Sequence, residues 1–184
     1  MNGKEIMDLY LKHLKKASEY SIEHWTKYEV NTWRWWLNIS LWIIPLIIWW
    51  RLVDKKRIFE ILFLGSMISL LSIFADIYGS ELVTWAYMYR VVPNIPRLIP
   101  IDIGVMPVGY MIIYQYFPRW KEYSIAVLIL ALLYTIVGET LMIYLNLYKL
   151  YTWRIIYSFP IYIIFGIIAK LVVNWLIKVK EKAK

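Results

Sequence analysis

The chain has 184 residues, 61% of them hydrophobic, no cysteine and a formal charge of +8. Soluble domains run at roughly 45–50% apolar by a similar count, and here the apolar residues come in long runs, which excludes a large water-soluble core and leaves no room for a second globular unit. The basic charge does not describe a nucleic-acid surface, because Lys and Arg flank the apolar runs instead of forming one stripe or patch, and without cysteine there are no disulfides, thiolate metal sites or Cys nucleophile.

Met1–Asn31 is the only substantial polar stretch. It has no short apolar run ending in a small-residue cleavage site, so no cleaved signal peptide is predicted. Ile6, Tyr10, Leu14, Ala17, Trp25 and Tyr28 recur near helical spacing, with Lys12, Lys15, Lys16 and Glu19 elsewhere on the surface, which predicts an amphipathic helix. Such a helix either lies on a membrane face as an interfacial anchor or extends the first span; a lid or a docking helix for a partner is the functional alternative.

Residues 32–184 read as an all-α, polytopic membrane bundle of five spans, each needing about 20 mostly apolar residues. The spans are predicted at about 33–50, 58–78, 98–117, 123–147 and 155–177. Eleven Trp and sixteen Tyr, many at the ends of these runs, suit the headgroup level, where an amphipathic ring is at home. Pro45, Pro107 and Pro160 fall within spans and predict bends. The stretch Pro93–Pro100, with three prolines, predicts an irregular connection.

Five spans place the termini on opposite sides. One side collects ten basic residues: Arg51, Lys55, Lys56, Arg57, Arg119, Lys121, Lys178, Lys180, Lys182 and Lys184. The other holds Arg90, Arg97, Lys149 and Arg154 in its loops and six more between Lys4 and Arg34. Positive residues close to spans stay cytoplasmic, so the C-terminus is expected inside and the N-terminus outside. Lys170, Asn174 and Lys178 follow i, i+4, i+8, which lets Lys170 snorkel toward the inner surface.

Ionisable residues inside spans are costly and therefore informative. Glu139 lies in the apolar run Ile125–Leu145, about 12 Å below the outer end at 1.5 Å per residue. Asp76 lies near the outer end of the second span, Glu81 just beyond it, and Asp102 at the outer start of the third. All four carboxylates fall toward one face. Asp102 is either a helix cap or, because the third span is short, part of a cavity wall at a positive helix end. Asp76 and Glu81 have Arg90, Arg97, Lys149 and Arg154 on their side as candidate ion-pair partners. Tyr110, Tyr114 and Gln115 form either a polar, aromatic seam on the third span or part of its core packing, and the candidate pocket comprises Asp76, Asp102, Glu139, Tyr110, Tyr114 and Gln115. Gln115, Asn38 and Asn146 read first as interhelical hydrogen bonds. His13 and His24 lack metal-ligand spacing. No phosphate loop, nucleophile elbow or dinucleotide fingerprint is present, and no cofactor is indicated.

An ordered set of segments runs through nearly the whole chain: Trp49-Trp50-Arg51-Leu52-Val53-Asp54-Lys55-Lys56-Arg57, Glu60-Ile61-Leu62, Asp76 with Gly79, Pro96-Arg97-Leu98-Ile99-Pro100 with Asp102, Pro107, Tyr114-Gln115-Tyr116-Phe117-Pro118-Arg119-Trp120-Lys121, Glu139, and Tyr157-Ser158-Phe159-Pro160-Ile161-Tyr162. This set resembles a family of small, functionally uncharacterised multi-spanning membrane proteins of endospore-forming Gram-positive bacteria. The resemblance implies a bacterial plasma-membrane protein and carries no activity with it. Two positions depart from the family's pattern. Trp85-Ala86-Tyr87 runs into Met88-Tyr89-Arg90 where a proline is usual, and Thr140, not proline, follows Glu139, which predicts a straighter helix at that carboxylate.

Three functions fit these residues. One is a binding or transport protein whose outward-facing acidic and aromatic pocket takes a small cationic ligand by charge and cation–π attraction, transport requiring a homo-oligomer. The second is an accessory or sensory subunit with a membrane partner protein, its carboxylates only structural. The third is a membrane-embedded acid–base isomerase or cyclase.

Overall fold

A computed structural model describes residues 1–95 and 98–183. Pro96, Arg97 and Lys184, which the sequence reading used, lie outside the described residues.

Helix α1 spans Gly3–His24 and opens with a reciprocal cap: Asn2 Oδ1 accepts the Glu5 N–H at 2.9 Å, and the Glu5 carboxylate accepts the Asn2 N–H at 3.0 Å, two donors that the first turn would otherwise leave unbonded. None of its residues is buried. A π-helical turn, Trp25–Glu29, ends it. Asn31 then takes a left-handed backbone, φ 61°, and Thr32 caps a new helix by accepting the Trp35 N–H. Of the two options for the N-terminal segment, extension of the first span is therefore excluded.

Five further helices follow: α2 Trp33–Leu52, α3 Ile58–Glu81, α4 Met106–Tyr116, α5 Trp120–Tyr144 and α6 Ser158–Lys182. Four of them (α2, α3, α5 and α6, with α3 and α6 extended by the short turns Lys55–Arg57 and Ile155–Tyr157 before them) are long and apolar enough to cross a membrane. Their outer surfaces carry Ile44, Phe59, Phe74 and Ile136, each more than half exposed. Helices apolar on both the packed and the exposed face mark a membrane protein.

The helix α4 is different. With the π-helical turn Ile101–Val105 before it, it reaches only about 24 Å, less than the roughly 30 Å of a hydrocarbon core. Seven of its eleven residues are buried, so protein rather than lipid surrounds it. Tyr110 and Met111 share one buried cluster with Ile61, Leu64 and Ile68 of α3, Val127 of α5, and Phe165 and Ala169 of α6. Lipid gives such helices no reason to associate by apolar burial alone, so close contact needs small residues. Gly104 supplies one, with the α2 backbone at Leu41 and Trp42 directly against it.

The prolines do less than the sequence suggests. Pro107 sits in the first turn of α4 and Pro160 in the first turn of α6, where a missing N–H costs little. Among the three, Pro45 alone interrupts a helix interior.

The two ends of the bundle are held by different chemistry. At one end lie the basic residues of the α2–α3 connection. Gln115 there accepts the Asp54 N–H at 2.8 Å and donates to the Leu52 carbonyl at 2.9 Å, tying that connection to the last turn of α4. Lys170 does not snorkel out. It is 1% exposed, its Nζ donates to the carbonyls of Pro118 and Phe117 past the end of α4, and it stands 4.0 Å from the ring centre of Tyr123. A cation is well placed at the negative end of a helix.

The other end carries a feature that hydropathy did not reveal. Strand β1, Trp85–Tyr87, pairs antiparallel with β2, Tyr148–Leu150. This ribbon joins the segment after α3 to the segment after α5. Val83 and Asn146, both with positive φ, turn the chain from each helix into its strand.

Candidate functional site

The ribbon roofs a cavity of about 130 Å³ between α3, the π-helical turn before α4, α5 and α6. Asp76, Asp102 and Glu139 all line it. Each reaches it by a local feature of its own helix. Asp76 lies one turn after Ser72 on α3, a spacing that puts both on one face. Asp102 sits second in the π-helical turn Ile101–Val105 and Glu139 ends a longer π-helical stretch, Leu133–Glu139. A π-helical turn fits an extra residue into a helix and often marks a functional site. The straight helix expected at Glu139 is thus corrected, and so is Asp102 as a helix cap: Pro100 stands at the head of that turn.

The hydrogen bonding of the three carboxylates is the same in kind. Tyr87 donates its hydroxyl to Asp76 Oδ1 at 2.6 Å, Ser72 to Asp102 Oδ1 at 2.5 Å, and Tyr162 to Glu139 Oε1 at 2.7 Å. The second oxygen of each (Asp76 Oδ2, Asp102 Oδ2 and Glu139 Oε2) is buried and makes no hydrogen bond among the described residues, while the Trp85 indole N–H, also buried and unbonded, and the Ser158 hydroxyl line the same cavity. Asp102 and Glu139 are 2% and 8% exposed. Burial, reinforced by the neighbouring Asp76 charge, pushes the Tyr87 phenol well above its ordinary value, so it serves as a donor. The remaining wall is aromatic, with Trp85, Tyr148, Trp153 and Phe165 prominent. The Tyr87 and Tyr148 rings stack across the ribbon with centroids 5.3 Å apart.

No Lys or Arg among the described residues lines the cavity. Arg90, expected as a partner for Asp76 or Glu81, is engaged elsewhere: its guanidinium bonds Glu29 at 2.5 Å and the Ser21 hydroxyl at 2.6 Å. Lys149 is exposed with its Nζ over the Tyr151 ring, and Arg154 is exposed. Glu81 is exposed and does not line the cavity, and Arg97 lies outside the described residues. No three His, Asp or Glu side chains among the described residues are placed to hold a metal ion.

The seam expected on the third span does not join this site. Tyr110 donates to the Tyr162 carbonyl at 2.7 Å and packs in the core. Tyr114 bonds Glu60 near the basic end, and Gln115 ties the α2–α3 connection there. These residues are structural fasteners on the faces of α4 turned to its neighbours. Asn38, read as an interhelical bond, instead holds the ribbon loop through the Tyr89 carbonyl at 2.9 Å. Missed altogether were Ser72, Tyr87 and Tyr162, which hold the carboxylates, and Glu29, which holds Arg90. Among these, Ser72 alone gave a signal, by its spacing from Asp76.

No family model, curated protein or solved structure matches the chain.

Proposed function

We propose that the chain is a five-span protein of a bacterial plasma membrane, its N-terminus outside and its C-terminus cytoplasmic, that binds a small organic cation in the roofed cavity, which faces outward. The observation that carries this reading is the set of three carboxylates on one aromatic-walled cavity, each with an oxygen buried and unbonded. A buried carboxylate without a counter-charge is expensive, and an arriving cation supplies both the charge and the missing donors. The aromatic wall adds cation–π attraction, stronger in a desolvated site. The volume suits a ligand near the size of benzene, which a cavity of roughly 150 Å³ admits.

The fifth span of this reading is α4 with its π-helical turn. Asp102 lies at the ribbon end and Gln115 at the basic end, so the segment runs from one to the other. The basic end then faces the cytoplasm by the positive-inside rule. The resemblance to membrane proteins of endospore-forming bacteria agrees with this assignment. An accessory subunit with purely structural carboxylates is disfavoured, since structural carboxylates would be bonded at both oxygens. Mutual interaction between the Asp76 and Asp102 charges favours one second reading, a membrane-embedded acid–base enzyme, which needs adjacent carboxyl groups.

The test is a melting-temperature survey of the purified protein against small amines and guanidines, each paired with a neutral analogue of equal size. Cations should stabilise and neutral analogues should not. Glu139→Gln should weaken the response roughly tenfold or more in half-saturating concentration, the value of one lost hydrogen bond to a charged group. Equal responses of wild type and Glu139→Gln, or equal responses to cations and neutral analogues, would sink the proposal. Conversion of a bound amphiphile to a new product would favour the enzyme.

A further inference from the structure

The three carboxylates of the cavity are not equivalent, because two of them meet. Ser72 donates to Asp102 Oδ1 at 2.5 Å, and Asp76 lies one turn beyond Ser72 on α3, a spacing that sets Cβ atoms about 5–6 Å apart. The hydroxyl thus brings Asp102, from the turn before α4, up beside Asp76, and each of the two carboxyls is a side-chain hydrogen-bonding neighbour of the other. As carboxylates they have no hydrogen to place between them, and Asp76 Oδ2 and Asp102 Oδ2 are left buried and unbonded. Two like charges in contact inside a buried cavity do not both persist, and no Lys or Arg among the described residues lines this one. A single proton held between them answers both problems: it removes one charge and supplies the missing donor. The titratable groups facing the pair are Tyr87 and Tyr148 from the ribbon, Tyr134 and Glu139 from α5, and Tyr162 from α6, while α2 meets the turn through Leu41 and Trp42. Phenols lose their protons only near about pH 10, which leaves Glu139 as the one competitor for that proton.

Resting on the cation-binding reading above, we infer that Asp76 and Asp102 share one proton in the free protein and that the organic cation enters in exchange for it. The exchange balances in atoms and charge: the O–H bond of the pair breaks, the proton passes to water, and the charge of the cation takes its place beside the two carboxylates. Glu139 stays outside the exchange, with Tyr162 on one oxygen and the other unbonded. Protons and cations then compete for one site. The apparent affinity therefore rises with pH for as long as the free pair keeps its proton, and levels off once the pair has lost it.

The full-length protein in detergent micelles is titrated calorimetrically with methylammonium, guanidinium and tetramethylammonium chlorides, cations whose own charge is constant over the range used. Each titration is run in phosphate and in ACES, buffers of small and large ionisation enthalpy, and the difference in heat counts the protons released. For those of the three that bind, release should reach at least about half a proton per cation between about pH 5 and pH 7, with affinity rising by up to about tenfold per pH unit. Asp102→Asn puts an amide donor where the shared proton stood, so the remaining Asp76 keeps its charge. Release should then fall below about a fifth of a proton, and affinity should change less than about threefold over the same interval. Asp76→Asn should do the same, whereas Glu139→Gln should bind more weakly but release as before. The wild-type count decides the matter even where a variant fails to fold. Binding without release in the wild type overturns the proton exchange and leaves cation binding standing. So does release that survives in either aspartate variant or disappears in Glu139→Gln. No heat or melting shift from any of the three cations overturns both.

Discussion

Replacing Arg90 by alanine is expected to weaken the docking of α1 by about 3–5 kcal/mol, the cost of stranding one member of a buried ion pair. Glu29 is the member left behind, with a side chain 1% exposed. In the native protein its two oxygens receive the Arg90 guanidinium, the Arg90 backbone N–H at 2.6 Å and His24 Nδ1 at 2.9 Å. Arg90 at the same time holds Ser21 near the end of α1, and the Trp25 indole donates to the Arg90 carbonyl at 3.0 Å. The cluster therefore fastens the otherwise exposed α1 to the loop that continues from the ribbon. Protease cleavage within residues 1–30 tracks the undocked population, so it should accelerate by two to three orders of magnitude. Arg90→Lys should rescue only part of the effect, because an ammonium cannot reproduce the guanidinium fork. Replacing both partners, Glu29→Leu with Arg90→Met, should be much milder than either single change, since no charge is then left buried. Cleavage of Arg90→Ala at the wild-type rate would show that the pair does not secure α1.

That cluster also shows what the sequence could not convey. Glu29 sits in a polar segment among other charges, where one more carboxylate is unremarkable. Its importance comes from a contact with Arg90, sixty-one positions away. Asp76, Asp102 and Glu139 were legible for the opposite reason: each stands alone in an apolar run, where an ionisable group needs an explanation. The apolar runs themselves located the helices, because length and composition are local properties. The ribbon was hidden, since two three-residue strands have too little pattern to recognise and pair across a long stretch of chain. The π-helical turns were hidden as well, because an extra residue in a helix leaves no compositional trace, and they decide where Asp102 and Glu139 point. Tyr114 and Gln115 were misplaced by treating neighbours on one helix as members of one site. They lie at the far end of α4 from Asp102, where Glu60, Leu52 and Asp54 engage them.

The closest link between the packing and the proposed site runs through Gly104. A β-carbon there would lie 2.8 Å from the Leu41 carbonyl oxygen and 3.0 Å from Trp42 Cα. Both atoms belong to the α2 backbone, so no side chain can rotate away to make room. Gly104→Ala must therefore push the π-helical turn away from α2, and overpacking of this kind costs about 1–3 kcal/mol. Asp102 lies two residues earlier in the same turn and would move with it, disturbing the 2.5 Å bond from Ser72 that aims its free oxygen. The variant should thus melt at a lower temperature and also bind the cations that stabilise the wild type at least tenfold more weakly, as expected for one misdirected charged hydrogen bond. Gly138→Ala is the informative control. Gly138 lines the same cavity, but its added carbon would meet nothing nearer than the Leu133 carbonyl oxygen at 3.8 Å, an ordinary contact. Its melting temperature should match or exceed that of the wild type, because alanine is the better helix former. If the two variants melt together, the close approach of α2 is not what positions Asp102. If Gly104→Ala melts lower but binds normally, the turn tolerates displacement and the aim of Asp102 does not govern affinity.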